Sequence, residues 1–363
     1  MLIRLFLIIS IFSILIVSCE KDPDDASPIY NDDYGSGLYI LTDQGVNYYD
    51  YNDTTNTLSQ NIFSSVNGIS INNPKKIRIL GSTDLTYLAP DKAFILADNL
   101  YIVDLNTFQI LGEVNDIGNP TYCEVVSQNR VFVSDSSSSK VKEIDLKTCK
   151  VISEIETGES TKPGFIINKG NYSFVLNSGN SFYIDSSIVA IQYRDLSVPM
   201  AEFSASIIVG ENPISSVSLD NLGVLCKGVF SENNPAINTE SSFFIVQPFS
   251  FDIVNSVTLN GVYNAQSLVK DYQEDELYFT CSDGVYKLNY PSLTYSSFLS
   301  KKASVLEINV ESYSNTDSTT IPVQMIYMND IENPGYVFKY NTFLSSYTDS
   351  LYMNGNVIDL QLK

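Results

Sequence analysis

The chain contains no histidine. That omission removes serine–histidine and cysteine–histidine nucleophile pairs, imidazole metal ligands and the usual proton shuttle at neutral pH. The chemistry left to consider rests on carboxylates, cysteines, tyrosines and amides. The adjacent carboxylates Asp24-Asp25 and Asp32-Asp33 fall in a polar N-terminal stretch, and Glu274-Asp275-Glu276 falls at an expected strand-to-strand turn, so all three read as solvated charge. The oxygen-rich segments beginning at Asn31 and Asp50 lack the spacing and later glutamate of a calcium loop. Cys123, Cys149, Cys226 and Cys281 are far apart and form no C-x-x-C pair, which leaves zinc and redox motifs without support; three of them sit in or beside apolar runs and are expected to be buried thiols. We therefore expect no catalytic residues, no metal site and no cofactor.

Binding chemistry is better represented. There are 24 tyrosines and no tryptophan. Most of the tyrosines lie in strand-like runs, but Tyr122, Tyr183, Tyr263 and Tyr336 read as loop residues, where a ring with a polar tip can anchor a ligand. Asparagine offers donor and acceptor together without charge. The expected ligand contacts are Asn119, Tyr122, Tyr183, Asn212, Asn234, Tyr263 and Asn333. The 42 acidic residues outnumber the 21 basic ones, giving a net charge of −21. So acidic a surface repels phosphate backbones, and no nucleic-acid partner is expected.

The N-terminus carries an address. Arg4 is followed by an apolar run ending Leu15-Ile16-Val17-Ser18-Cys19, a positive region and a hydrophobic region too short for a confident span. The ending resembles a bacterial lipobox, which implies that residues 1–18 are a lipoprotein signal peptide and that Cys19 is lipidated. Residues 19–36 then read as a flexible acidic tether unable to pack. The acidic run after Cys19 resembles the surface-export signal of Bacteroidota-type lipoproteins. The implied location is the outer membrane, exposed at the cell surface and held by the lipid anchor alone.

Elements that position the candidate ligands come from a repeat. Helical periodicity is scarce; short runs of Val, Ile, Tyr and Phe recur between Gly, Asn, Asp and Ser clusters, the pattern of an all-β protein. The clearest unit runs Arg130-Val-Phe-Val-Ser-Asp, then Lys140-Val-Lys-Glu-Ile-Asp-Leu-Lys-Thr148, then Lys150-Val-Ile-Ser-Glu-Ile155. Related copies start near residues 38, 93, 172, 223, 276 and 324, making seven units of about 47 residues. Most copies have a preceding fourth strand, but the first does not, whereas the chain ends in the alternating segment Asn356-Val-Ile-Asp-Leu-Gln-Leu-Lys363. This predicts a seven-bladed β-propeller over residues 37–363, built of four-stranded antiparallel blades, with the C-terminal strand closing the ring.

Val131-Phe-Val-Ser134, Lys142-Glu-Ile-Asp-Leu-Lys-Thr148 and the turns Ile117-Gly-Asn-Pro120 and Val209-Gly-Glu-Asn-Pro213 resemble the YVTN-type β-propeller family. Lipobox-bearing propellers of this type include surface proteins that capture cobalamin beside an outer-membrane transporter. The resemblance implies a non-catalytic binding propeller that captures a small molecule, a corrinoid among the candidates, or a partner protein for an uptake system. An adhesive surface protein binding carbohydrate or protein, and a propeller enzyme such as a lyase or a quinone-dependent dehydrogenase, are the rival readings. In such a ring the connections between second and third strands and those between blades emerge on one face. The long stretches 64–75, 134–139, 178–186, 229–241 and 329–335 fall there, and 80–91 and 309–322 on the other, so the ligand is expected on the first face.

Overall fold

A computed structural model describes residues 34–51, 57–79, 92–178, 184–193, 201–314 and 320–363. Seven four-stranded antiparallel sheets stand around a central axis as a β-propeller. Numbered in chain order, blade 1 has the strand order Val357–Leu362, Leu38–Thr42, Gly45–Tyr49, Leu58–Ser59 from the axis outward. The C-terminal strand thus supplies the inner strand of the first blade, with Ile40 opposite Leu360 and Leu38 opposite Leu362. Ring closure and the number and make-up of the blades agree with the sequence expectation.

The remaining inner strands are Lys76–Ile79, Pro120–Ser127, Pro163–Lys169, Pro213–Ser218, Gln266–Lys270 and Leu306–Ser314 for blades 2 to 7. Their neighbours in the same blades are runs of buried aliphatics such as Ala93, Phe94, Ile95 and Leu96 in blade 2. These fill the space between adjacent sheets, so the core is a ring of seven inter-blade clusters, one per seam. Outermost strands are exposed, as in Ile253–Thr258.

Each seam is also clasped near the axis. Asp359 accepts from the Ile77 amide at 3.0 Å (blades 1 and 2), and Arg78 meets Glu124 at 3.0 Å (2 and 3). The Thr121 hydroxyl donates to the Pro163 carbonyl at 2.8 Å (3 and 4), and Ser178 donates to the Pro213 carbonyl at 2.8 Å (4 and 5). The Ser215 and Ser267 hydroxyls accept from the Leu268 and Leu306 amides at 3.1 and 2.8 Å (5 and 6, 6 and 7). Gln361 donates to Glu307 at 2.7 Å and joins blade 7 to blade 1. Five of these seven bonds occupy a backbone group of an inner strand; the other two join side chains.

Three expectations need correction. Residues 309–314 and 320–322 of the expected loop are strand: Leu306–Ser314 and Thr320–Asn329 pair as far as Ser314 and Thr320, and 315–319 lie outside the described residues. Polar residues of these strands are held across the sheet, where Glu311 takes the Lys339 ammonium at 2.6 Å and the Tyr327 hydroxyl. Secondly, the end of the tether packs. The Tyr34 ring lies 5.4 Å from Tyr48 and 5.9 Å from Phe108, edge to face in both cases, and the Tyr39 hydroxyl donates to the Gly35 carbonyl at 3.1 Å. Thirdly, Ile62–Asn67 forms a helix between blades 1 and 2, inserting Ile62 and Phe63 into the first core cluster. The four described cysteines are free, and Cys123, Cys226 and Cys281 are buried as expected. No described helix is long and apolar enough to cross a membrane.

Candidate functional site

The inner strands enclose an axial cavity of about 670 Å³, a volume within the range of small-molecule pockets. It runs from Ser136, Lys162 and Ser178 at the face of the blade-to-blade connections, the upper face, towards Ser218 and Lys270 at the lower end. The edge of each inner strand faces the axis and its successive side chains lean towards the two adjacent blades, so residues of both sides border the cavity. In blades 5 to 7 Ile214, Ser218, Val269 and Ile308 line it, an apolar and hydroxylated wall in which Val269 and Ile308 also pack into the seam between blades 6 and 7.

Blades 1 to 3 and 7 present charge to the same cavity. Lys76 pairs with Asp359 at 2.7 Å, and Arg78 donates to both oxygens of Glu124 at 3.0 and 3.3 Å and to Gln361 at 3.2 Å. Asn168 reaches Glu124 at 3.3 Å. Two cations and two anions therefore cancel within the ring, and none of the four is left as a free acid or base.

Glu307 differs. Its Oε1 accepts from Gln361, but no described side chain or amide donates to Oε2. It is half-buried in the wall of the cavity. Poor solvation there raises its carboxyl from 4.5 to about 8; Lys76 and Arg78 pull it down and Asp359 pushes it up. A raised acid is protonated in the folded chain where the unfolded chain has already released its proton. Stability is therefore fully present below pH 4.5, falls as pH rises from 4.5 to about 8, and is level above that. We expect the melting temperature of Glu307→Gln to overtake that of the wild type as pH rises through this window, because the amide keeps the shape and has no charge to desolvate. Parallel curves for the two proteins between pH 5 and pH 9 would contradict the placement.

The expected ligand contacts distribute differently. Asn119, Asn212, Asn234, Tyr263 and Asn333 all lie in connections on the upper face, as the topology required. None of them lines the cavity. Asn119 is exposed but engaged by Lys75 at 2.8 Å and Ser136 at 3.0 Å. Asn212 is buried, with a positive φ of 53°, and its amide donates to the Gly228 carbonyl at 2.9 Å, so it shapes a turn. Asn234 is exposed before the 3₁₀ turn Pro235–Ile237, and Asn333 is exposed with its amide donating to Asp330 at 3.1 Å. Tyr263 is half-buried. Tyr183, like Cys19, lies outside the described residues.

Tyr122 is corrected in position. It belongs to the inner strand Pro120–Ser127, is 8% exposed, and packs against Phe165 of the next blade with ring centroids 4.5 Å apart. The strand begins at Pro120, directly after the turn, so the loop ends two residues earlier than the apolar pattern suggested. Tyr336 likewise opens a strand. The 134–139 stretch is an ordered turn: Asp135 accepts from Asn119 N, Ser137 N and the Ser137 and Ser138 hydroxyls. Burial opposes ionisation of Asp135, but these donors outweigh it and hold its carboxyl near 2. Sequence reasoning missed Arg78, Glu124, Glu307 and Asp359. The available signal was charge placed inside inner-strand segments.

Among the described residues, no three Cys, Asp or Glu side chains converge as a metal site. No family model matches the chain, and no curated protein matches it. Solved structures do. Hydrazine synthase from Kuenenia stuttgartiensis is similar over 74% of this chain and 86% of its own, at TM-score 0.54 and 14% identity. A quinoprotein alcohol dehydrogenase-like protein from Bacteroides thetaiotaomicron is similar over 90% of this chain and 75% of its own, at TM-score 0.54 and 15% identity. At such identities the likeness is one of fold.

Proposed function

We propose that this propeller is a non-catalytic binding protein that captures a small molecule in its axial cavity. The observation carrying the reading is the internal pairing of Lys76 with Asp359 and Arg78 with Glu124 around a space of about 670 Å³. These four charges are spent on holding the wall in shape, and Glu307, the exception, is a single carboxyl with no cluster of three acidic or thiol side chains beside it among the described residues. Rigid, preformed walls favour binding, since little ordering is required when a ligand enters.

The lipobox resemblance adds a location: a lipoprotein of the outer-membrane surface, of YVTN propeller type, presenting its cargo to a transporter. Residues 34–37 join the ring on the lower face, where the Lys363 amide donates to the Gly37 carbonyl at 3.1 Å. A chain anchored at Cys19 would therefore leave the upper mouth of the cavity away from the bilayer. We expect Cys19→Ala to be released from membranes, as the acidic chain has no second attachment. Retention after a salt wash, read by fractionation, would contradict this.

The cavity reading has its own test. Thr121 stands at the upper end of the inner strand of blade 3, exposed to the mouth. Thr121→Trp places an indole across the opening, and we expect it to weaken ligand binding about tenfold or more, a loss of roughly 1.4 kcal/mol. Calorimetry on residues 34–363 against a small-molecule panel measures it. If Thr121→Trp binds normally while changes at Tyr263 and Asn333 abolish binding, the ligand sits on the outer loops instead.

A further inference from the structure

The cavity reading can be taken one step further, to the charge of the ligand. We propose that the axial cavity receives a small organic cation, whose ammonium or guanidinium group donates to the carboxylate of Glu307 while its hydrocarbon part lies against blades 5 to 7. The proposal rests on the cavity being the binding site.

The geometry is specific to one oxygen. Glu307 Oε1 is occupied by the Gln361 amide at 2.7 Å, which fixes the carboxyl plane, and Oε2 is left without a donor among the described residues. The groups around it are accounted for on every inner strand that faces it. On blade 2, Lys76 is held by Asp359 and Arg78 by Glu124. On blade 1, Asp359 also accepts the Ile77 amide, and Gln361 bridges Arg78 and Glu307. On blade 6, Lys270 is held by Glu274 and by the Ser218 carbonyl at 2.8 Å. Setting aside Lys270 with its partner and Lys162 at the upper mouth, the cluster of Lys76, Arg78, Glu124, Asp359 and Glu307 carries one net negative charge once Glu307 ionises. An entering cation completes the balance.

A metal ion fits less well than an organic cation. No three acidic or thiol ligands converge among the described residues, so a metal would meet one carboxylate oxygen and little else. An alkyl cation finds its second half in the wall, where Ile214, Val269 and Ile308 line the cavity on blades 5, 6 and 7. The one lining cation without a carboxylate partner, Lys162, stands at the upper mouth, where the Ser136 carbonyl takes its ammonium at 2.9 Å, so the pull on a cation is local to Glu307.

Binding is then coupled to a proton. Burial holds Glu307 mostly protonated at pH 7, so the entering cation must displace that proton, which leaves to solvent. Affinity for a cation of fixed charge should rise with pH up to about 8 and level off beyond it. From pH 6 to pH 9 the expected gain is roughly a hundredfold, since the ionised fraction grows tenfold per unit below the pKa.

The test uses residues 34–363 with n-butylguanidinium, whose charge is constant over this range, and n-butylurea, its neutral isostere. Titration calorimetry in two buffers of different ionisation enthalpy counts the protons released. We expect n-butylguanidinium to bind more tightly than n-butylurea above pH 8, with close to one proton released per ligand at pH 7. Glu307→Gln should reduce the guanidinium affinity at least tenfold at pH 8.5 and abolish both proton release and pH dependence; its thermal melt confirms that it is folded. Equal binding of both probes, blocked by Thr121→Trp, would overturn the cation assignment and leave the cavity as the site. Binding of neither probe would overturn the assignment and count against the cavity as well. Guanidinium binding unchanged in Glu307→Gln would place the cation elsewhere.

Discussion

Deletion of residues 356–363 is expected to collapse the ring. The deletion removes the inner strand of blade 1, taking away the buried Val357 and Leu360 and the partly buried Ile358, and leaves Leu38–Thr42 as an unpaired edge. Each buried aliphatic is worth about 1.5–3 kcal/mol, so packing alone costs roughly 5 kcal/mol or more, a large share of a domain's net stability. Asp359 goes too, leaving Lys76 and the Ile77 amide without their partner, and Gln361 no longer reaches Glu307. The exposed edge is apolar and invites pairing between molecules. Thermal denaturation and size-exclusion chromatography of the truncated protein should show a much lower melting temperature and association. A monomer melting like the full chain would refute the closure.

The second large effect is expected at Arg130. Its guanidinium is 3.0 Å from Glu143, whose side chain is fully buried inside blade 3. Burial pushes the Glu143 carboxyl up, and Arg130 pulls it back. Arg130→Met strands that carboxylate, which for buried pairs costs about 3–5 kcal/mol. The cost should shrink as pH falls towards 5, because Glu143 escapes it by taking a proton. Arg130→Met combined with Glu143→Leu should recover most of the loss, since an apolar pair of similar volume suits the interior. Urea denaturation of the two single variants and the double variant at pH 5 and 7.5 closes the cycle. An Arg130→Met protein within about 1 kcal/mol of wild type at pH 7.5 would show that the pair is not buried as described.

How much of this could be read beforehand follows from where the physics is local. Blade count, strand order and the closing role of the C-terminal segment were legible, because alternation in Val357-Ile-Asp-Leu-Gln-Leu362 and the recurring Asp-Leu-x-Thr turns are properties of neighbouring residues. The candidate site was not. Alternation marks Asp359, Gln361 and Glu307 as the polar side of a strand, which normally faces bulk water. On an inner strand that side borders the axial cavity and the adjacent blade, where solvation is poor and the partners come from other blades. Lys76 and Asp359 are 283 positions apart in the chain, and no periodicity links them. Tyr122 was misplaced for a related reason. A ring following a Gly-Asn-Pro turn reads as part of the loop, yet contact with Phe165 of the next blade draws it into the strand. The strands within 309–322 were misread because their stabilising partners, Lys339 and Tyr327, lie on the neighbouring strands of the blade rather than in their own pattern.

The meeting of Lys363 with Gly37 at the lower face has a consequence for how the fold can be rewired. The strands Leu38–Thr42 and Val357–Leu362 pair as an antiparallel hairpin that lacks only its turn. A short Gly- and Asn-containing connection from 363 to 37 would supply that turn, and new ends can then be opened in the upper connection around Asn234, which is exposed and lies between the second and third strands of blade 5. Such a circular permutant would keep every contact between the strands of neighbouring blades, giving up only the packing of Tyr34, while moving its chain ends to the opposite side of the ring. Which blade comes first is then an accident of where the chain was cut, and a fused reporter can be carried at either mouth of the cavity by choosing the cut.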